Sequence, residues 1–103
     1  MTIEKKTELI KLFSLYQSLL TDTQQTYFKA YVEEDFSFKE IAEAYDVSRS
    51  AIHDQIHKIE KHLYAYEEKL HLLKTREQRL SLLDAYEEKK DASLLQELRK
   101  LDE

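Results

Sequence analysis

The residues most suggestive of chemistry are two histidines four positions apart, in the segment HDQIH that begins at His53 and ends at His57. On a helix this spacing puts both imidazoles on one face, where they can chelate zinc, and Asp54 stands where zinc hydrolases have a general base. A catalytic zinc needs a third protein ligand, and neither His62 nor His71 has a spacing that supplies one. We interpret the pair as surface histidines and predict no metal site and no catalytic residue.

The composition argues against other enzyme chemistry. Glycine, proline, cysteine and tryptophan are absent from the 103 residues. The absence of glycine excludes the glycine-rich phosphate loops of nucleotide enzymes, and the absence of cysteine excludes disulfides and thiolate metal sites. The sequence predicts a protein that acts by binding, without a cofactor.

The elements that position these histidines are predicted to be helices. Strong helix formers dominate, and the residues that make hairpin turns are missing. No apolar run approaches the ~18 residues that span a membrane, and no signal-peptide core is visible. We expect an all-α, cytoplasmic protein without membrane insertion.

Local patterns predict where the helices of the first half begin. An apolar stripe with intervals of four, three and four residues predicts an amphipathic helix over residues 2–20, with Leu9, Phe13, Tyr16 and Leu20 on its buried face. Two capping boxes then predict new helices, at Thr21 with Gln24 and at Ser37 with Glu40. The second of these helices should bury Ile41, Ala42 and Tyr45.

A helix-turn-helix is predicted in the segment SFKEIAEAYDVSRSAIHDQIHKIEKHL, residues 37–63. Asp46 is expected to turn the chain, because aspartate tolerates the left-handed conformation that glycine usually supplies. Ser48 is the expected N-cap of the second helix, in which the two histidines lie. We predict one domain over residues 1–103, with an N-terminal helix at 1–20, the helix-turn-helix at 21–63 and a helical C-terminal arm at 64–103.

The second helix of this motif has a regular apolar stripe that predicts one long helix from Ser48 to Leu73. The stripe repeats at heptad spacing and comprises Ile52, Ile56, Ile59, Leu63, Tyr66, Leu70 and Leu73. It can pack on the protein's own N-terminal helix, or it can pair two copies. We expect both, with Tyr66, Leu70 and Leu73 forming the contact of a homodimer.

Residues 20–63 resemble region 4 of bacterial sigma factors, most specifically in the run EIAEAYDVSRSAI. That family places the first two turns of the second helix in the DNA major groove. Carried onto this chain, the resemblance implies that Arg49, Ser50 and His53 face bases. Further along the same helix, His57, Lys58 and Lys61 can contact the backbone. His53 stands where the sigma family often has arginine, and a neutral imidazole is a weaker guanine reader.

Over nearly its whole length the chain is more similar to the YlxM type of small helix-turn-helix proteins from Gram-positive bacteria. The N-terminal run from TELIKLFSLYQ to SRSAIHDQI and the acidic, leucine-rich tail carry this similarity. Members of that family are typically encoded beside the genes for the signal recognition particle GTPase and its receptor. The resemblance therefore implies a part in that targeting pathway, with the GTPase, its receptor or the particle's RNA as partner.

The formal net charge of −5 bears on the choice between partners. Phosphate contacts supply most non-specific affinity for DNA, so an acidic protein needs a local cluster of cations to bind it. We expect a regulatory or adaptor protein of the signal recognition particle pathway. The alternative is a dimeric DNA-binding transcriptional regulator that uses the same helix.

Overall fold

The computed structural model of the chain describes residues 2–89 and 92–102. Over these residues the protein is all-α, as the sequence predicts, with six α-helices and a short 3-10 turn at Gln17–Leu19. The helices are α1 Ile3–Tyr16, α2 Asp22–Val32, α3 Phe38–Tyr45, α4 Arg49–Leu70, α5 Leu72–Lys89 and α6 Ser93–Leu101. No helix in this described part is long and apolar enough to cross a membrane.

Hydrogen bonds at the N-caps confirm the predicted helix starts. Thr21 and Ser37 each form a complete capping box, in which the hydroxyl accepts a bond from the backbone N–H three residues on. The side chains of Gln24 and Glu40 accept the reciprocal bonds. Ser48 Oγ likewise accepts from the backbone N–H three residues on, at 3.1 Å. These bonds satisfy donors that a helix start otherwise leaves open.

Non-glycine residues occupy the left-handed positions between helices. In the described residues these are Asp35 (φ 58°) after α2, Asp46 (φ 54°) after α3 and His71 (φ 53°) between α4 and α5. The predicted turn at Asp46 is therefore confirmed. The left-handed conformation crowds Cβ against the backbone, and aspartate is one of the residues that tolerate it best.

The predicted continuous helix from Ser48 to Leu73 is wrong in its last turn. α4 ends at Leu70, His71 takes the left-handed conformation, and Leu73 lies in α5. The apolar stripe runs through this break without losing its spacing, and neither glycine nor proline marks it. Spacing alone therefore could not show where the helix ends.

The chain forms two compact units, Met1–Leu70 and His71–Glu103. In the first, α1, α2 and α3 all pack against α4. Its core comprises Leu9, Leu12, Phe13, Tyr16, Leu20, Phe28, Ala30, Val32, Ile41, Ala42, Ile52, Ile56, Ile59 and Leu63. The stripe predicted to be buried in the N-terminal segment is part of this core.

Tyr45 departs from its predicted burial. It remains 45% exposed, although Ile41 one turn earlier is fully buried. α3 is only eight residues long, so its last turn lies at the edge of the core. There the ring of Tyr45 packs edge-on against Tyr27, with the ring centroids 5.3 Å apart.

The second unit is a pair of packed helices, α5 and α6. Arg79 of α5 donates a hydrogen bond to Asp102 at 3.2 Å. Among the described side chains of this unit only Leu73 is buried, and the others are half-buried or exposed. The organisation of both units as one domain, and the dimer, stay predictions.

Candidate nucleic-acid interface

The candidate site is the exposed face of the first turns of α4, the second helix of the helix-turn-helix. α3 packs against α4, and Asp46, Val47 and Ser48 connect the two helices. The buried face of α4 holds it against the core, so the polar residues between its apolar positions face outward. All five residues predicted to bind nucleic acid are exposed: Arg49, Ser50, His53, His57 and Lys58.

The capping residue of α4 limits which hydrogen bonds the Ser50 hydroxyl can form. The hydroxyl of Ser48 accepts the backbone N–H that it caps, and it also lies 3.3 Å from the hydroxyl of Ser50. Ser50 Oγ can donate to Ser48 or to a ligand with its single proton, and it keeps lone pairs for accepting. Arg49 is the first residue of α4 and directly follows the capping residue Ser48.

The two histidine rings lie against each other with their planes tilted by 35°, and a hydrogen bond within the helix orients His57. Their ring centroids lie 4.1 Å apart. His57 Nδ1 is 2.8 Å from the backbone carbonyl oxygen of His53, and because a carbonyl only accepts, Nδ1 is the donor. Nε2 of His57 is the nitrogen left to meet a ligand, as acceptor when neutral and as donor when protonated.

Aromatic rings behind the histidines complete a cluster that sequence reasoning missed. The ring of Phe38 meets His53 edge-on at 5.7 Å and His57 at 6.5 Å, and the ring of Tyr31 stacks on Phe38 at 5.0 Å. We call Tyr31, Phe38, His53 and His57 the aromatic–imidazole cluster. It joins α2, α3 and α4, and no spacing within one helix reveals such a contact. The cluster holds both imidazoles on the outer surface of α4.

Metal binding receives no support from this geometry. Nδ1 of His57 is bound to a backbone carbonyl, and His53 Nδ1 lies 3.3 Å from a carboxylate oxygen of Asp54. Across residues 2–89 and 92–102, no group of three or more histidine, cysteine, aspartate or glutamate side chains is placed to hold a metal ion. Among the described side chains, the zinc-hydrolase spacing of His53 and His57 is thus not joined by a third ligand.

The charge of the exposed face is mixed. Arg49 and Lys58 are exposed cations, while the Asp54 side chain, 82% exposed, lies on the same face. A protonated His53 would pair with this carboxylate, which would then partly cancel the charge offered to a phosphate. The face therefore has polar groups that can recognise a partner, but no uniform positive potential.

Burial affects one phenol of the cluster. Desolvation raises the pKa of the Tyr31 hydroxyl above its usual value of 10.0, and the nearby charge of Glu60 raises it further. Tyr31 therefore stays a neutral hydroxyl at physiological pH. Its contribution to the face is an apolar ring beneath Phe38, not a charge.

The three residues predicted to form a dimer contact do not share one helix. Tyr66 is half-buried, and its ring lies 5.9 Å from Tyr16 and 6.1 Å from His62. Leu70 is 53% exposed, while Leu73 is buried and belongs to α5. The single continuous helix on which this prediction rested thus ends at Leu70.

Comparison with known proteins identifies the family. Residues 3–102 match the family described as "Putative helix-turn-helix protein, YlxM / p13 like". The chain belongs to this family. The YlxM / p13 like description agrees with the resemblance seen in the sequence, and with the arrangement of α3, the Asp46 turn and α4.

Individual members of the YlxM / p13 like family match over most or all of the chain. The UPF0122 protein YlxM of Bacillus subtilis (strain 168) is 43% identical over 110 residues, covering 99% of this chain and all of the relative. A UPF0122 protein of Lactococcus lactis subsp. cremoris (strain MG1363) is 42% identical, covering 100% of this chain and 97% of the relative. A third, from Mycoplasma capricolum subsp. capricolum, is 44% identical and covers 82% and 75%.

Proposed function

We propose that this chain is a helix-turn-helix regulatory protein of the signal recognition particle pathway, and that it acts by binding rather than by catalysis. Family membership supports the helix-turn-helix. The pathway rests on what the resemblance of the sequence to the YlxM type implies. The partner is the particle's GTPase, its receptor or its RNA.

The observation that carries this proposal is the mixed charge of the exposed face of α4. Asp54 lies among the candidate contact residues and the net charge of the chain is −5. Duplex DNA presents phosphate along its whole length, so a carboxylate in the middle of the contact face opposes binding. A protein surface, or a folded RNA with unpaired bases, can instead match an alternation of cations, carboxylate and aromatic rings.

The test is retention of the three named components on the immobilised full-length chain. Host lysate is applied with and without nuclease, and the GTPase, the receptor and the particle's RNA are each assayed. Arg49→Ala is compared with Arg99→Ala, which removes an exposed arginine of α6 that is not one of the candidate contact residues.

Two results support the proposal and distinguish its forms. If the GTPase or receptor binds directly, its retention survives nuclease and does not change in Arg49→Ala. If the RNA is bound through α4, nuclease abolishes retention and Arg49→Ala lowers it roughly fivefold or more, while Arg99→Ala does not. Retention of none of the three components contradicts the proposal.

A second candidate function is sequence-specific DNA binding as a dimer, favoured by the exposure of Arg49 in the first turn of α4. An arginine there can fork onto a guanine edge in the major groove, and the positive end of the helix favours phosphate nearby. This DNA function is the alternative rather than the first proposal, because Lys58 and His57 would add few contacts to the DNA backbone.

Salt dependence tests this alternative. With about three phosphate contacts, the logarithm of the association constant should fall with the logarithm of salt concentration at a slope near −3. The measurement is fluorescence anisotropy of a mixed-sequence DNA duplex titrated with the protein across a salt series. Arg49→Ala should weaken binding and Arg99→Ala should not. Absence of binding even at low salt would exclude the DNA function.

A further inference from the structure

The outer side of α5 has a stripe of exposed residues that nothing in the preceding sections explains. Leu80 is 48% exposed and Leu83 is 39% exposed. They lie three residues apart, and therefore on one face of the helix. α5 packs on α6, and the half-buried Leu82 lines a groove together with Glu97 and Leu101 of α6. Leu80 and Leu82 are about 160° apart around the helix, so the stripe faces away from α6.

Opposite charges stand at the two ends of this stripe. Arg76 lies four residues before Leu80, and Glu87 lies four residues after Leu83, so the four residues share heptad spacing. Both charged side chains are exposed. Within residues 2–89 and 92–102, neither takes part in an ion pair. α5 thus presents an apolar centre with a cation towards its N-terminus and an anion towards its C-terminus.

We propose that this face, which we call the α5 stripe (Arg76, Leu80, Leu83 and Glu87), binds the same face of a second copy of the chain. The two α5 helices run antiparallel about a two-fold axis that passes between Leu80 and Leu83. Leu80 then lies against Leu83 of the partner subunit, and Arg76 lies against Glu87 of the partner subunit. Each pair occurs twice, as an isologous contact requires.

Charge selects this arrangement over the parallel one. Parallel helices in register would bring Arg76 next to its own copy and Glu87 next to its own copy, which places like charges together. The antiparallel register instead forms two opposite-charge pairs that flank the leucines, as the layers of an antiparallel coiled coil do. The contact uses neither Tyr66 nor Leu70, and it does not depend on the targeting function proposed above.

The experiment measures the mass of the full-length chain by sedimentation equilibrium over a concentration series. The natural chain should form a dimer. Arg76→Glu and Glu87→Arg should each weaken self-association about tenfold, because either change turns two attractive pairs into two repulsive ones. An equal mixture of these two variants should recover the dimer, because each R76E chain then meets an E87R chain with opposite charges at both positions.

Matched charge changes elsewhere serve as controls. Lys100→Glu, on α6, and Glu68→Arg, on α4, alter exposed side chains outside the α5 stripe and should leave the dimer unchanged. Circular dichroism checks that every variant keeps its helices. The proposal is overturned if the natural chain stays monomeric at all concentrations, if the single variants stay dimeric, or if mixing them restores nothing.

Discussion

Tyr16 is a core residue with a polar group that must find a partner. Its side chain is 1% exposed, and its hydroxyl donates a 2.6 Å hydrogen bond to Glu67 Oε1 of α4. The ring also packs beside Tyr66. A hydroxyl buried without such a bond would cost free energy, so the carboxylate stabilises the packing of α1 on α4.

Replacing Tyr16 by phenylalanine should lower the free energy of unfolding by about 1–2 kcal/mol, because it removes a hydrogen bond to a charged acceptor while keeping the ring. Urea denaturation followed by circular dichroism measures the change. Tyr45→Phe is the matched control, since its hydroxyl is at the edge of the core and the side chain is 45% exposed. Equal effects of the two substitutions would show that the Glu67 bond contributes nothing.

Tyr64 should make stability fall in alkali. Burial, the charges of Glu8 and Glu60, and a hydrogen bond to Glu8 raise the pKa of its phenol above the usual 10.0. The unfolded chain therefore loses this proton first. The stabilisation is complete below pH 10.0 and is lost as pH rises through the raised value.

The measurement for Tyr64 is the free energy of unfolding from neutral pH to about pH 11. Tyr64→Phe should show a smaller alkaline loss of the free energy of unfolding than the natural chain. Identical alkaline losses in the natural chain and Tyr64→Phe would contradict the raised pKa.

Among the elements, the helix starts could be predicted from sequence and one helix end could not. The capping boxes at Thr21 and Ser37 need only local residues three apart, so the pattern is visible in the sequence. The turn at Asp46 could be predicted because aspartate tolerates the left-handed conformation that glycine usually supplies. His71 lies inside an unbroken heptad pattern, so the apolar spacing did not indicate that α4 ends at Leu70.

At position 46 a glycine variant should be more stable than an alanine variant, which reverses the order expected inside a regular helix. Asp46→Ala should lower the free energy of unfolding by about 1 kcal/mol, and Asp46→Gly should be equal to or better than aspartate, because glycine has no Cβ to crowd a positive φ. At Glu43, exposed and within α3, glycine should instead be worse than alanine by about 1 kcal/mol. Urea denaturation of the four variants gives both orders. An alanine as stable as glycine at position 46 would contradict the left-handed turn.

The sequence could predict only part of the candidate interface. The exposure of Arg49 and Lys58 follows from the periodicity of α4, since they lie between apolar positions of the buried stripe. The contact of Phe38 with the two histidines does not follow from it, because three helices have to pack before these rings meet. Sequence periodicity shows which face a residue occupies, not which residue of another helix it touches.

At the scale of the whole molecule, burial is distributed unequally along the chain. All buried side chains of the described residues except Leu73 lie in Met1–Leu70. Apart from Leu73, the described side chains of the second unit are half-buried or exposed, which is little for the independent stability of two helices. The first unit thus contains what a cooperative fold requires.

A chain truncated after Leu70 should therefore keep its helices and unfold cooperatively in urea. It should also be monomeric if the α5 stripe forms the dimer, since α5 is then absent. Circular dichroism and sedimentation equilibrium of this fragment, compared with the full chain, test the two statements separately. A fragment without a cooperative transition would mean that the first unit needs the second.

The hydrogen bond between Tyr16 and Glu67 has a consequence for light emission. With no tryptophan and seven tyrosines, the ultraviolet fluorescence of the chain is tyrosine fluorescence. An excited phenol is a much stronger acid than one in its ground state, and it passes its proton to a carboxylate that it already touches. Tyr16 should therefore emit weakly while α1 is packed on α4, and its emission should rise when they separate. The protein contains its own optical reporter for the contact between its first helix and its longest one.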